Sequence, residues 1–148
     1  TILRPHFVRR IESVDGEVLR DATTENWVEG QLPVSSEHLR TVTAAMEKVV
    51  MEAGGTGSRA RVGKFRIGGK TGTAQNPHGD DHALFACFAT VDDPRIVVSV
   101  VCEEAGHGGS VAGPVAQRIL QVFLTGSLPN DVLAEADWQL NPGDYEGD

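Results

Sequence analysis

The chain has 148 residues, 13 basic against 21 acidic side chains for a formal net charge of −8, and 40% apolar residues. That length is about one domain and suffices to close a hydrophobic core. The negative balance argues against a general nucleic-acid binder and against an anionic membrane surface as partner. Much of the excess is local: Pro129 to Asp148 holds six acids (Asp131, Glu135, Asp137, Asp144, Glu146, Asp148) and no Lys or Arg. Residues 129–148 therefore read as a solvated acidic tail, or alternatively an acidic docking segment, behind a domain body at 1–128. The two cysteines, Cys87 and Cys102, sit in apolar strand-like runs as small hydrophobes. With no C-x-x-C or Cys/His ligand spacing, neither a metal nor a cofactor is supported. No signal peptide or long apolar run is present in the sequence. The opening "TILRPHFVRR" carries no initiator Met and no cap, and is expected to start in the middle of a longer domain.

In chain order, "ILRPHFVRRIESVDGEVLRD" alternates apolar and polar around Asp15-Gly16 and predicts an extended hairpin. "TTENWVEGQLPV" reads as polar connection. From Ser35 and Ser36 the period changes: Leu39, Val42, Met46, Val49 and Val50 recur at helical spacing, with Ser as N-cap and Glu37 in the first turn. Gly54-Gly55 ends that helix, and "TGSRARVG" follows as a basic loop. Three strands come next: "KFRIGGKTGTAQ", then "ALFACFATV" after the polar loop "NPHGDDH", then "RIVVSVVCEE" after the turn at Asp92-Asp93-Pro94. The last two are near-continuous apolar runs, expected to be buried on both faces or nearly so. After "AGHGGS", Ser110 is expected to cap a final helix with Pro114 in its first turn. The order hairpin, helix, three adjacent strands, helix predicts an α/β (α+β) sandwich with an antiparallel sheet flanked by helices.

The stretch "GGKTGTAQ" at 68–75 places three glycines inside a strand, where they weaken it unless something needs the space. On a sheet edge lining a cleft, Gly69 and Gly72 would let another extended chain pair with the strand. Lys70 would bring a cation, and Thr71 and Thr73, two apart, would put both hydroxyls on one face as a carboxylate receptor. An unpaired strand N–H there could serve as an oxyanion donor. A lone K-T-G also occurs by chance, and glycine-rich strands often mark bulges. A phosphate-binding loop is excluded because Lys64 stands where its first glycine is required and a strand, not a helix, surrounds the motif.

The ordered set "MEKVV", "GGTGSRA", "IGGKTGTAQ", "HALFACFAT", "DDPR", "IVVSVVCEE" and "GHGGSVAGPVAQRIL" resembles the C-terminal part of the transpeptidase domain of class B penicillin-binding proteins. "KTGTAQ" with "HGGSVAGPVA" is most similar to the elongation-type group, the penicillin-binding protein 2 subfamily. The resemblance runs from Thr1 to about Leu124. It implies a five-stranded antiparallel sheet between helices, with the active site between the sheet and an all-helical subdomain. It implies peptidoglycan D,D-transpeptidation, cross-linking stem peptides through a serine acyl-enzyme that β-lactams also form. Carried over, Lys70 helps hold the substrate carboxylate and a proton network. Thr71 and Thr73 hydroxyls grip the carboxylate, the Thr73 N–H is half of the oxyanion hole, and Gly72 keeps the strand bare. Implied partners are the stem peptide, β-lactam antibiotics and cell-wall elongation proteins, with inner-membrane anchoring and this domain outside the cytoplasm.

Of the three motifs such sites use, this chain holds only K-T-G. Its lysines, Lys48, Lys64 and Lys70, follow Ala45, Arg61 and Ile67 by three, so S-x-x-K is absent, and no serine has Asn two places on. An N-terminal segment carrying Ser-x-x-Lys and Ser-x-Asn is thus an expected partner, without which the chain is inactive. Two alternatives stand beside this reading: a non-catalytic cell-wall scaffold and a serine β-lactamase-type hydrolase. His82 and His107 read as hydrogen-bonding loop residues, with a catalytic base as the alternative, and His6, His38 and His78 as incidental. Arg59 and Arg61 read as solvated surface, or alternatively as charge lent to the cleft mouth, Trp27, Phe85 and Phe88 as core or rim, and Asp92 as turn chemistry alone.

Overall fold

The computed structural model describes residues 1–127; the acidic stretch 129–148 lies outside the described residues. The backbone divides into two compact units, Thr1–Leu39 and Arg40 onward.

In the first unit the expected long hairpin is cut short. Strand β1 (Ile2–Leu3) pairs antiparallel with β4 (Val28–Gly30), and β2 (Arg10–Glu12) pairs with β3 (Val18–Asp21). The segment read as polar connection therefore contains a strand. Pro5, which has no N–H, interrupts the ladder after Arg4, whose own N–H donates to the Trp27 carbonyl at 2.8 Å. The turn falls where Asp15-Gly16 predicted it, closed by Ser13 N–H to Glu17 O at 2.8 Å and Gly16 N–H to Ser13 O at 3.0 Å. His6 is not incidental: its ring stacks on Trp27 at 3.9 Å, with the Arg4 guanidinium 4.9 Å from the indole centroid. The indole N–H donates to the Ala22 carbonyl at 2.6 Å.

Helix α1 spans Ser36–Met51, with Ser35 Oγ accepting from the His38 N–H at 3.2 Å as its N-cap. Its apolar stripe is buried toward its C-terminal end, at Val50, while Leu39 and Val42 stay exposed. In the second unit β5 (Ile67–Ala74), β6 (His82–Ala89) and β7 (Ile96–Cys102) form one antiparallel sheet in the order β5-β6-β7. Helix α2 (Ala112–Thr125) packs on β6 and β7.

One face of this sheet carries the core: Ile67 from β5, Ala83, Phe85, Cys87 and Ala89 from β6, Val98 and Val100 from β7, closed over by Val50, Ala112, Ala116 and Leu120. The β6–β7 hairpin is not buried on both faces. Its side chains alternate, leaving Val97 76% and Val101 60% exposed on the face away from the helices. Ser110 does not cap α2. The residue before the helix is Val111, with no side-chain cap, and the Ser110 hydroxyl instead donates to the His107 carbonyl at 3.0 Å. Pro114 does fall in the first turn.

Candidate active site

The site is built on β5, whose outer edge pairs with no strand among the described residues. Two of its three glycines serve the sheet itself. A side chain on Gly68 would run into the Phe88 ring, and one on Gly69 would lie 2.8 Å from the Phe85 ring. Gly69 is buried and lines no cleft, contrary to expectation, because a β6 aromatic fills that space. Gly72 is different: a Cβ there would meet Leu84 Cβ at 3.2 Å and little else, so its surface stays bare.

Beside the C-terminal half of β5 lies a cavity of about 450 Å³. Thr71 and Thr73 form one wall, on the same face of the strand as the two-residue period requires. The loop after α1 contributes Thr56, Ser58 and Arg59, and the loop before α2 contributes His107 to Ser110. Thr56 and Thr71 hydroxyl oxygens are 3.1 Å apart and share a hydrogen bond. Arg59 Nη1 donates to the Ser110 carbonyl at 3.3 Å, so the guanidinium spans the two loops.

Both loops are held by backbone. Gly57 N–H bonds Val49 O at 2.9 Å, Ala60 N–H bonds Gly57 O at 2.9 Å, and Arg61 donates through Nε to Val50 O and through Nη2 to Glu52 O, each at 2.6 Å. Arg61, exposed as expected, is in addition a clamp on the last turn of α1. On the other side, Asp81 O accepts from the N–H groups of Ala105 at 3.0 Å and Gly106 at 2.7 Å, while His82 Nδ1 accepts from Glu104 N–H at 3.0 Å. His82 is thus a loop-fastening residue, as expected. Gly108 lies flat over the β5–β6 ladder; a Cβ on it would collide with the carbonyl oxygens of Leu84 and Gly72, and one on Gly109 with that of Thr56.

Lys70 and the threonines are not on one side. Strand alternation sets Lys70 with Gly68 and Gly72 on the opposite face, beside a smaller depression of about 190 Å³ floored by Leu84, Ala86 and Ser99. Its ammonium curls round the edge to donate to the Thr71 carbonyl at 2.6 Å. That carbonyl accordingly faces the free edge, and the ladder's alternation turns the Thr73 N–H the same way. Arg59 shares the cavity with Thr71 and Thr73, in line with the cleft-mouth reading rather than the surface one, and no Asp or Glu among the described residues lines that cavity. Thr56 was missed because it lies 15 positions before Thr71 in the chain; the signal was the glycine-bounded "GGTGSRA", whose chemistry periodicity does not show.

Residues 1–121 match the penicillin binding protein transpeptidase domain. Peptidoglycan D,D-transpeptidase MrdA of Haemophilus influenzae is 38% identical over 100 residues, covering 57% of this chain and 15% of that protein. The protein of the same name from Acinetobacter baumannii is 30% identical over 155 aligned positions, covering 95% of this chain and 20% of that protein. Among solved structures, Pseudomonas aeruginosa PBP2 in complex with WCK 5153 superposes with a TM-score of 0.60 at 32% identity, over 79% of this chain and 26% of that one. The chain spans about a fifth of the length of these curated relatives. With its antiparallel sheet and two helices, and with relatives of the elongation-type group, the chain belongs to the penicillin-binding protein transpeptidase domain family.

Proposed function

We propose that this chain forms the K-T-G wall of a peptidoglycan D,D-transpeptidase, which cross-links stem peptides through a serine acyl-enzyme that β-lactams also form. The observation that carries this is the free edge of β5, with Lys70 Nζ held 2.6 Å from the Thr71 carbonyl and two threonine hydroxyls on the other face. A peptide laid along that edge gains main-chain hydrogen bonds, and bare Gly72 lets it approach. Its terminal carboxylate meets the Thr71 and Thr73 hydroxyls, and the ammonium of Lys70 adds positive charge from the opposite face. The Thr73 N–H is one oxyanion donor, and losing such a donor costs about 10²–10³ in rate. The nucleophilic serine and its lysine come from polypeptide outside this sequence, so this chain alone acylates nothing. The intact protein is anchored in the inner membrane, holds this domain outside the cytoplasm and works with cell-wall elongation proteins.

The test is fluorescent-penicillin labelling of the full-length protein. A long-lived covalent adduct is expected, with Lys70→Ala and Thr73→Val each weakening it. Absence of any adduct would overturn the reading in favour of a non-catalytic scaffold, and fast antibiotic turnover would favour a β-lactamase-type hydrolase.

A further inference from the structure

The sheet edge carries a charge arrangement that the K-T-G motif does not predict. Lys70 lies on the face of β5 opposite Thr71 and Thr73, and one of its three ammonium N–H groups is held by a backbone carbonyl. An anion seated against the two hydroxyls would need a counter-charge on their own side. Arg59 is there, at the centre of the short 3-10 turn Ser58–Ala60, and it lines the same cavity.

The fold presents this arginine deliberately. Ala60 is fully buried and Arg61 is tied down on two α1 carbonyls, so the turn has no freedom to swing. Of the five guanidinium N–H groups, one reaches the Ser110 carbonyl, and no carboxylate pairs with Arg59 among the described residues. The neighbouring arginines behave otherwise: Arg61 is satisfied by backbone and Arg66 by two acids. An arginine left without an acid, in a cavity lined by hydroxyls and amides in a chain of net charge −8, is set for an incoming anion. Its planar fork matches a carboxylate in a way an ammonium cannot.

We propose that Arg59 is a specificity-determining residue that selects the carboxylate of the ligand bound against Thr71 and Thr73. The proposal rests on the transpeptidase reading and names a second group, on the threonines' own side, that supplies charge within it. Arg59 acts on binding, before the acyl bond forms.

The test uses the full-length protein and its Arg59→Gln and Arg59→Lys variants, with acylation by benzylpenicillin and by its methyl ester followed in competition with fluorescent penicillin. For the acid, Arg59→Gln is expected to weaken the saturation constant about tenfold with the limiting acylation rate unchanged. Arg59→Lys should fall between, and the ester should be insensitive to either change. Equal losses for acid and ester, no loss, or a loss confined to the limiting rate would overturn it. Thermal unfolding of each variant identifies a folding defect, in which case the Lys variant decides. A wild-type protein that takes no label removes the transpeptidase reading and this one together; a labelled wild type with an indifferent Arg59→Gln removes this one alone.

Discussion

The placing of Thr71 and Thr73 on one face of β5 was legible because it follows from the two-residue alternation of a strand. What the alternation could not show is that the lysine head rounds the strand edge, since that depends on where the Thr71 carbonyl has no ladder partner. Gly108 was quoted within a motif but given no task, and its task exists only in three dimensions, where it rests on the peptides of Leu84 and Gly72. Gly108→Ala forces a side chain into two backbone oxygens that no rotamer change can relieve. An unfolding free energy lower by roughly 1–3 kcal/mol is expected, with slower penicillin labelling, checked by denaturant titration and gel fluorescence. A variant as stable as the parent would show that the loop shifts freely.

Among elements, α1, the β6–β7 turn and the start of β5 are joined by one side chain. Arg66 donates to Glu47 through Nε at 2.6 Å and Nη2 at 2.7 Å, and to both oxygens of Asp92 through Nη1 at 2.5 and 2.7 Å. Asp92 is therefore more than turn chemistry, which sequence could not tell because Arg66 precedes it by 26 positions. The guanidinium holds Glu47 below the ordinary carboxylate range, chiefly through the hydrogen bonds and with burial opposing. A carboxyl lowered on folding stabilises above its unfolded pKa, and that contribution disappears as pH falls below about 4.5. Arg66→Gln should therefore lower the melting midpoint slightly at pH 7, as exposed pairs do, and by less at pH 3. An equal drop at both values would show that packing of the arginine stem, not charge, is what matters.

At the scale of the molecule, the second unit buries one face of its sheet and no more. Cys87 sits in that core, 1% exposed, and burial pushes its thiol up to about 11. Because the neutral form is favoured on folding, the stabilisation is complete below the unfolded value of 9.0 and is lost as pH rises through 9 to 11. Iodoacetamide at pH 8 should modify partly exposed Cys102 first and reach Cys87 only on unfolding. Mass spectrometry of native and urea-treated protein checks this; equal rates at Cys87 in both would show a core that opens readily.

The one-dimensional pattern was enough for the order of α1, β5, β6, β7 and α2 and for the motif strand, since these depend on periodicity, glycine positions and local spacing, while the family came from the resemblance of the ordered motifs. The β1–β4 pairing, the stacking of His6 on Trp27, the uncapped start of α2 and the half-exposed sheet were decided by contacts between residues far apart or by competing hydrogen bonds. The same holds for the cavity, where a strand and two distant loops bring hydroxyls, amides and Arg59 together. Local composition determines which residues are present along an edge. Only the folded chain determines which of them meet.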